Sequence, residues 1–216
     1  MSLRLQLAGL GALALSALQM SQPIDQSCVV DEAVRDPSLV TYRSQLLQVI
    51  RERSVEQLKP LVDSDVFLPF QEHGWEKFVE VHRPQDPESD IWSRLHQDVS
   101  RGGRFMGKDG FCAPYFMCPE WPGADGQDVL VIVKRNVPVR QRPDDSARVL
   151  AVLSCDILRV PSSQEGPEHP PGWETLLLPN GSWGFLRAGN VILAETWVHF
   201  ERKSGRWQLT QLAAID

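Results

Sequence analysis

The stretch GWETLLLPNGSWGFL, residues 172–186, decides how the second half of the chain is interpreted. Two runs of strand-forming residues, each opening on a tryptophan, flank a Pro-Asn-Gly turn centred on Asn180 and Gly181. Asn-Gly is typical of tight hairpin turns because both residues tolerate a positive φ. The stretch therefore predicts a β-hairpin whose two strands carry Trp173 and Trp183.

Further short strand signals surround this hairpin. VLVIV at 129–133 is a continuous apolar run, VPVRQR at 137–142 alternates apolar with polar residues, and VLAVLSCDILRV at 149–160 contains two short runs around a polar bend. Short strands at this spacing predict a small β-barrel. A barrel of this size has little core, so each large aromatic side chain contributes strongly to it.

The order of these features resembles the bacterial SH3-like domain over about residues 129–193. The resemblance rests on an Asn-Val opening, a Gly-Trp pair, an Asn-Gly turn and a Gly-Phe pair in place of a second Gly-Trp: Asn136, Val137, Val139, Arg140, Pro143, Gly172, Trp173, Asn180, Gly181, Gly184 and Phe185. Cys155-Asp156 replaces a turn that commonly contains glycine, and the segment PSSQEGPEHPP is an unusually polar insertion. The resemblance implies an accessory module that binds cell-wall material, a peptide or an envelope protein.

The expected recognition surface of this module is a groove formed by four side chains, Arg140, Trp173, Trp183 and Phe185. Two alternatives stay open for the tryptophans, which either fill the barrel or line the groove. Arg140 has the simpler alternative of a surface ion pair, which contributes little to stability.

The N-terminal half carries helical patterns. Apolar residues recur at helical spacing from Leu39 to Ile50, and Ser54 with Gln57 resembles a capping box that opens a second helix. HGWEKFVEVH and IWSRLHQDVS predict two more helices, whereas DVFLPF reads as an edge strand or extended segment because of its proline. We therefore predict an α+β protein with a mainly helical N-terminal domain at 38–126, the barrel at 127–193 and a C-terminal hairpin at 194–216.

The C-terminal hairpin consists of TWVHFER and RWQLTQL, joined through Lys203, Ser204 and Gly205. Its ending, together with the early segment IRERSVEQLKPLVDSDVFLPF, resembles the nuclear-transport-factor-like or SnoaL-like fold, a helix-plus-curved-sheet architecture. The matching positions of that ending are Phe200, Gly205 and Trp207. The resemblance implies that the barrel is an insertion, and the alternative is that the hairpin completes a different helical domain.

The first twenty residues predict export. Arg4 is followed by an apolar run from Leu5 to Leu18, and the small residues Ala14, Ser16 and Ala17 suit a signal-peptidase site. A membrane anchor is the alternative, but the run is short for one. We expect a periplasmic or secreted protein with a signal peptide at 1–20 and no membrane span after cleavage.

Export would permit disulfides, and the four cysteines form an even set. Cys112 and Cys118 lie six positions apart around a proline, which leaves Cys28 and Cys155 to pair by elimination; four buried free thiols are the alternative. We expect no metal, because no zinc-ligand spacing accompanies these cysteines.

Composition excludes several functions. The net charge is −6, and nucleic-acid binding draws its affinity from clustered Lys and Arg. The sequence contains no Gly-x-Ser-x-Gly elbow and no His-Glu-x-x-His motif, and Cys112 is poorly placed to be a helix-opening nucleophile. We therefore expect a non-enzymatic binding protein without a cofactor, whose partner is peptidoglycan or an envelope protein or peptide.

An alternative pocket would lie in the helical half, formed by His73, Trp75 and His96. Converging histidines with nearby carboxylates would give a hydrolase or a small-ligand carrier. Scattered histidines on the surface are the alternative, and a purely structural role in an envelope complex is a third interpretation.

Overall fold

A six-stranded sheet covered by helices organises the first and last parts of the chain. The computed structural model describes residues 25–118, 129–159, 166–168, 170–193 and 196–214, so the predicted signal peptide at 1–20 lies outside the described residues. The α-helices in the described residues are α1 (Pro37–Glu52), α2 (Val55–Leu58), α3 (Trp75–His82) and α4 (Ile91–Ser100). Their apolar faces pack on the sheet to form one core.

The predicted first helix is confirmed, and its start has a clear local cause. The Asp36 carboxylate accepts hydrogen bonds from the backbone N–H groups of Ser38 (2.8 Å) and Leu39 (3.3 Å), and Pro37 occupies the first turn. The helix ends at Arg53, which adopts the left-handed conformation. The hydroxyl of Ser54 then caps α2, as the sequence predicts, by accepting from the N–H of Gln57.

Strands from both ends of the chain build the six-stranded sheet. Its members are β1 (Val62–Leu68), β2 (Glu72–His73), β3 (Arg104–Met106), β4 (Gly110–Ala113), β12 (Thr196–Lys203) and β13 (Arg206–Ala214). The order is β2-β1-β13-β12-β4-β3, with β1 parallel to β13 and the other pairs antiparallel. The predicted C-terminal hairpin is thus confirmed, and it occupies the middle of the sheet.

The prediction of a mainly helical N-terminal half is wrong, because β1 to β4 lie within it. Strands β3 and β4 have only three and four residues, too few to show an alternating pattern in the sequence. β4 pairs with β12, some ninety residues further along the chain, so its partner is not visible locally. β1 is not an edge strand either, since it pairs with β2 on one side and β13 on the other.

Among the described residues, seven strands lie between β4 and β12. They are β5 (Val129–Ile132), β6 (Val137–Arg140), β7 (Val149–Leu153), β8 (Ile157–Arg159), β9 (Trp173–Leu177), β10 (Trp183–Arg187) and β11 (Val191–Leu193). They form a four-stranded sheet, β7-β6-β10-β9, and a three-stranded sheet, β11-β5-β8. The chain therefore leaves the large sheet after β4, builds these two sheets, and returns at β12.

The two small sheets share one core but do not form the predicted closed barrel. Inward residues of both sheets, including Leu130, Ile132, Val139 and Leu186, belong to a single buried cluster. Among the described residues, no hydrogen-bonded ladder joins the four-stranded sheet to the three-stranded one. The sequence between β8 and β9 contains four prolines, and proline has no N–H to donate to a ladder.

Both predicted disulfides are present. Cys28 is bonded to Cys155 with a Cα–Cα distance of 4.9 Å, and Cys112 is bonded to Cys118 with a Cα–Cα distance of 5.6 Å. The pairs indicate a protein of an oxidising compartment outside the cytoplasm. No helix in the described part of the chain is long and apolar enough to span a membrane.

A third apolar cluster connects the two parts of the molecule. Tyr115, Phe116 and Met117, which follow β4, are buried with Val131 and Val133 of the small sheets. The Cys112–Cys118 bond closes the loop that carries these aromatic residues. The inserted sheets are therefore attached to the large sheet through a packed apolar contact as well as through the chain.

Candidate functional site on the outer face of the four-stranded sheet

Strand register brings the predicted recognition residues onto one sheet face. Phe185 of β10 lies opposite both Arg140 of β6 and Thr175 of β9. Trp183 pairs with Leu177, and Arg187 pairs with Trp173. Because side chains alternate between the two faces of a strand, these residues share the face opposite to that of the core residue Leu186, and on this face Trp173 and Thr175 are buried. We call this surface, comprising Arg140, Trp173, Leu177, Trp183 and Phe185, the outer face.

The opposite face of β10 is fixed by packing. Leu186 is fully buried in the shared core, and Gly184 lies directly against the side chain of Val139 on β6. A Cβ on Gly184 would overlap the Val139 methyl group, so this strand pair requires the glycine. Inward packing of positions 184 and 186 therefore directs Trp183 and Phe185 outward.

Trp173 is buried, and a cation lies over one of its rings. The guanidinium carbon of Arg187 lies 4.2 Å from the centre of a Trp173 ring, and the Trp173 side chain is only 7% exposed. Arg187 also donates from Nε to Asp145 at 3.3 Å, and this hydrogen bond raises the pKa of Arg187 and lowers that of Asp145. Trp173, a predicted recognition residue, thus packs beneath Arg187 on the outer face.

Arg140 is held in position beside Phe185. Its Nη1 donates to the backbone oxygen of Ala147 at 2.9 Å, which anchors the half-buried guanidinium to the loop between β6 and β7. The same loop carries Asp144 and Asp145, whose lowered pKa values include an attraction to Arg140 among their smaller causes. The aromatic part of the outer face is therefore bordered by charged groups of both signs.

Exposed apolar side chains lie at two edges of the four-stranded sheet. Leu177 is 49% exposed, and Val152 of β7, which lies opposite Pro138, is 59% exposed. Trp183 and Phe185 are half-buried between these two edges. The backbone of Gly166 lies against the indole of Trp183, where an added Cβ would come within 2.7 Å of a ring carbon. One end of the Trp183 ring is thus covered, while apolar side chains lie on either side of it, from Leu177 to Val152.

The residues of the alternative pocket, His73, Trp75 and His96, do not surround a common cavity. His73 is exposed, with its ring 4.9 Å from that of Phe67 and its Nδ1 3.8 Å from Asp65. Trp75 is buried and stacks on Phe78 at 5.3 Å, so it belongs to the core. His96 is exposed on α4.

Sequence analysis missed a cavity of about 730 Å³ in the larger part of the molecule. It opens where the end of β1, the C-terminus of α3 and the start of α4 meet, and His82 is the only histidine among its lining residues. Phe70, which follows β1 and is exposed, lies among its lining residues, and no pattern in the sequence indicates this cavity. Among the described residues, no group of three or more His, Cys, Asp or Glu side chains could hold a metal ion.

Comparison with known proteins does not assign the chain to a family. No family model matches the sequence, and no curated protein matches it either.

Proposed function

We propose that this protein is an exported, non-enzymatic binding protein whose outer face recognises a fragment of the bacterial cell wall. The observation that carries the proposal is the co-location of Trp183, Phe185, Leu177 and Arg140 on one face of a sheet, where Leu177 is exposed and the other three are half-buried. Half-exposed aromatic rings present large, rigid and amphipathic surfaces, which are the usual anchors of recognition sites. Three of these residues, Arg140, Trp183 and Phe185, belong to the groove that the resemblance to cell-wall binding modules implies, whereas Leu177 does not.

The charge distribution fits a polar ligand with apolar parts. Arg140 supplies a cation beside Phe185, while the loop after β6 supplies carboxylates at the same border. Cell-wall fragments combine sugar rings, which stack on aromatic side chains, with short peptides that carry both amines and carboxylates. An extended envelope peptide presents similar groups and is the competing partner.

Two further features support export and the accessory role. Both disulfides support a location outside the cytoplasm, and the apolar run of residues 5–18 predicts the signal that would direct the protein there. The order of strands around the large sheet supports the proposal that a nuclear-transport-factor-like scaffold carries an SH3-like module as an insertion between β4 and β12.

Retention by purified sacculi tests this function. We expect the protein without residues 1–20 to sediment with sacculi, and we expect Trp183→Ala and Phe185→Ala each to reduce the retained fraction about tenfold. Phe70→Ala is the matched control, because Phe70 is an exposed aromatic residue outside the outer face.

The retention experiment has outcomes that contradict the proposal. Equal retention of wild type and both outer-face variants would place binding elsewhere on the molecule. Absence of retention, together with capture of an envelope protein that is lost in Trp183→Ala, would favour the competing partner. Leu177→Ser serves as a second variant, since Leu177 is half exposed and its replacement leaves the core intact.

A further inference from the structure

The cavity beside α3 and α4 combines an apolar floor with an acidic rim. Leu68, Pro69 and Val81 supply apolar surface, and Asp86 and Glu88 lie on the loop that closes one side. We infer that this cavity binds a small organic cation, namely an amine attached to an aliphatic or aromatic body. None of its lining residues belongs to the outer face, so the inference is independent of the proposed function.

Phe70 is displayed at the cavity at an energetic cost. Its side chain is 82% exposed, and the backbone φ angles of Phe70 and Gln71 are 62° and 61°. A left-handed conformation costs about 1–2 kcal/mol for an ordinary residue, and here two such residues are adjacent. The local backbone therefore directs an aromatic ring to the edge of the cavity instead of into the core.

The charges that face the cavity leave an excess of carboxylate. Asp90 is paired with Arg94 at 3.8 Å, and Glu72 is paired with Lys77 at 3.0 Å. Within the described part of the chain, no ion pair involves Asp86 or Glu88, and the lining contains one further cation, Arg83. Arg53 lies outside the lining but donates to the Pro87 carbonyl of the same loop at 3.2 Å. The lining itself holds four carboxylates against two guanidinium groups, and this net negative charge favours a cationic ligand.

His82 keeps the inner wall of the cavity neutral. Its ring lies 5.0 Å from that of Phe78, and its Nε2 is buried with no hydrogen-bond partner among the described residues. Burial lowers the pKa of His82 to about 4, so the ring carries no charge at neutral pH. An apolar ligand body would therefore meet an uncharged wall, while its amine would lie near the carboxylates at the rim.

The volume of the cavity and the ring of Phe70 define the class of ligand. Sites for small molecules typically have volumes of roughly 300–1,000 Å³, and 730 Å³ falls within this range. A cation over the face of Phe70 would gain a further attraction to the ring. The amine would thus contact the carboxylates and Phe70, and its hydrocarbon part would contact Leu68 and Val81.

Binding of three small probes of similar size tests the inference. We would titrate 2-phenylethylamine, phenylacetate and 2-phenylethanol into the exported form of the protein and follow backbone amide resonances by NMR. The amine is expected to bind about tenfold more tightly than either the acid or the alcohol, with shifts confined to residues 68–94. Phe70→Ala should weaken amine binding about fivefold. The Asp86→Asn, Glu88→Gln double variant should remove the preference for the amine.

Trp183→Ala is the control, because it alters only the outer face and should leave amine binding unchanged. Equal binding of phenylacetate and the amine would overturn the inference. So would amine binding that Phe70→Ala leaves unaltered, or the absence of saturable shifts up to roughly 10 mM amine. Each outcome is independent of sacculus retention, so the failure of one proposal is distinguishable from the failure of the other.

Discussion

Trp173 and Trp183 occupy equivalent places in the hairpin sequence but differ in their surroundings. Trp173 is 7% exposed and is covered by Arg187, whereas Trp183 is half-buried on the open part of the outer face. We expect Trp173→Ala to lower the free energy of unfolding by about 3 kcal/mol, because it removes a large buried ring. The loss in Trp183→Ala should be smaller by at least about 1 kcal/mol. Urea denaturation of both variants gives the comparison, and equal losses would contradict the distinction.

Gln71 provides a test of the local strain that displays Phe70. Its φ of 61° suits glycine, and its side chain is exposed. Gln71→Gly should therefore raise the free energy of unfolding by about 0.5–1 kcal/mol, since the relief of strain exceeds the entropy cost of glycine. Thermal denaturation measures the effect. A lower melting temperature than that of the wild type would show that this turn carries no strain.

His82 links stability to pH. Burial lowers its pKa from 6.5 to about 4, so the unfolded chain binds a proton at this site that the folded chain does not bind between these values. The contribution of the neutral His82 ring to the free energy of unfolding is fully present above pH 6.5 and is lost as the pH falls toward 4. The pKa of His199 is lowered in the same direction by burial, whereas the hydrogen-bonded carboxylates Asp36 and Asp63 lose their contribution only below 3.8.

The variant His82→Phe isolates this contribution. Phenylalanine preserves the ring contact with Phe78 but does not titrate, so the decrease in unfolding free energy between pH 6.5 and 4 should be smaller than in the wild type. Guanidinium unfolding at a series of pH values measures it, and His199→Phe provides the parallel comparison. Identical pH profiles for His82→Phe and the wild type would show that folding does not lower the pKa of this histidine.

The two disulfides close loops of very different length. Cys28–Cys155 joins residues 127 positions apart and ties the N-terminal arm to the turn between β7 and β8, whereas Cys112–Cys118 closes a loop across six positions. A longer closed loop restricts the unfolded chain more strongly, so removal of the first bond by paired serine substitutions should cost about 2–3 kcal/mol more than removal of the second. Calorimetry of the two double variants measures this difference. A larger loss from the short loop would contradict the account.

Some secondary-structure elements can be predicted from the residues within or next to them. The cap at Ser54 and the Asn180-Gly181 turn involve groups within a few residues, and the structure agrees with both predictions. Strands β3 and β4 depend on pairing with β12, which no local pattern reveals. The same holds for the cavity, because its walls come from β1, α3 and α4. Of the outer face, Arg140, Trp173, Trp183 and Phe185 were predicted, whereas Leu177 was not.

At the scale of the whole molecule, the large sheet depends on both ends of the chain. β12 and β13 lie in its centre, between β1 and β4, and their side chains Val198, Phe200 and Leu209 are fully buried. A chain that ends at residue 193 should therefore lose cooperative unfolding of the helical part, because α1 and α4 would have no sheet to cover. Circular dichroism on heating tests this, and a sharp transition in the truncated chain would contradict the topology.

The central claim concerns the outer face, and the indole N–H resonances of the tryptophans test it most directly. Trp92 and Trp207 donate their indole N–H groups to Pro84 and Ser38 inside the protein and serve as internal references. Soluble fragments released from sacculi would be titrated into the protein, with the Trp183 resonance assigned through Trp183→Phe. The account predicts that the Trp183 resonance shifts with saturation while those of Trp92 and Trp207 remain in place. An unchanged Trp183 resonance in the presence of bound fragments would contradict the claim.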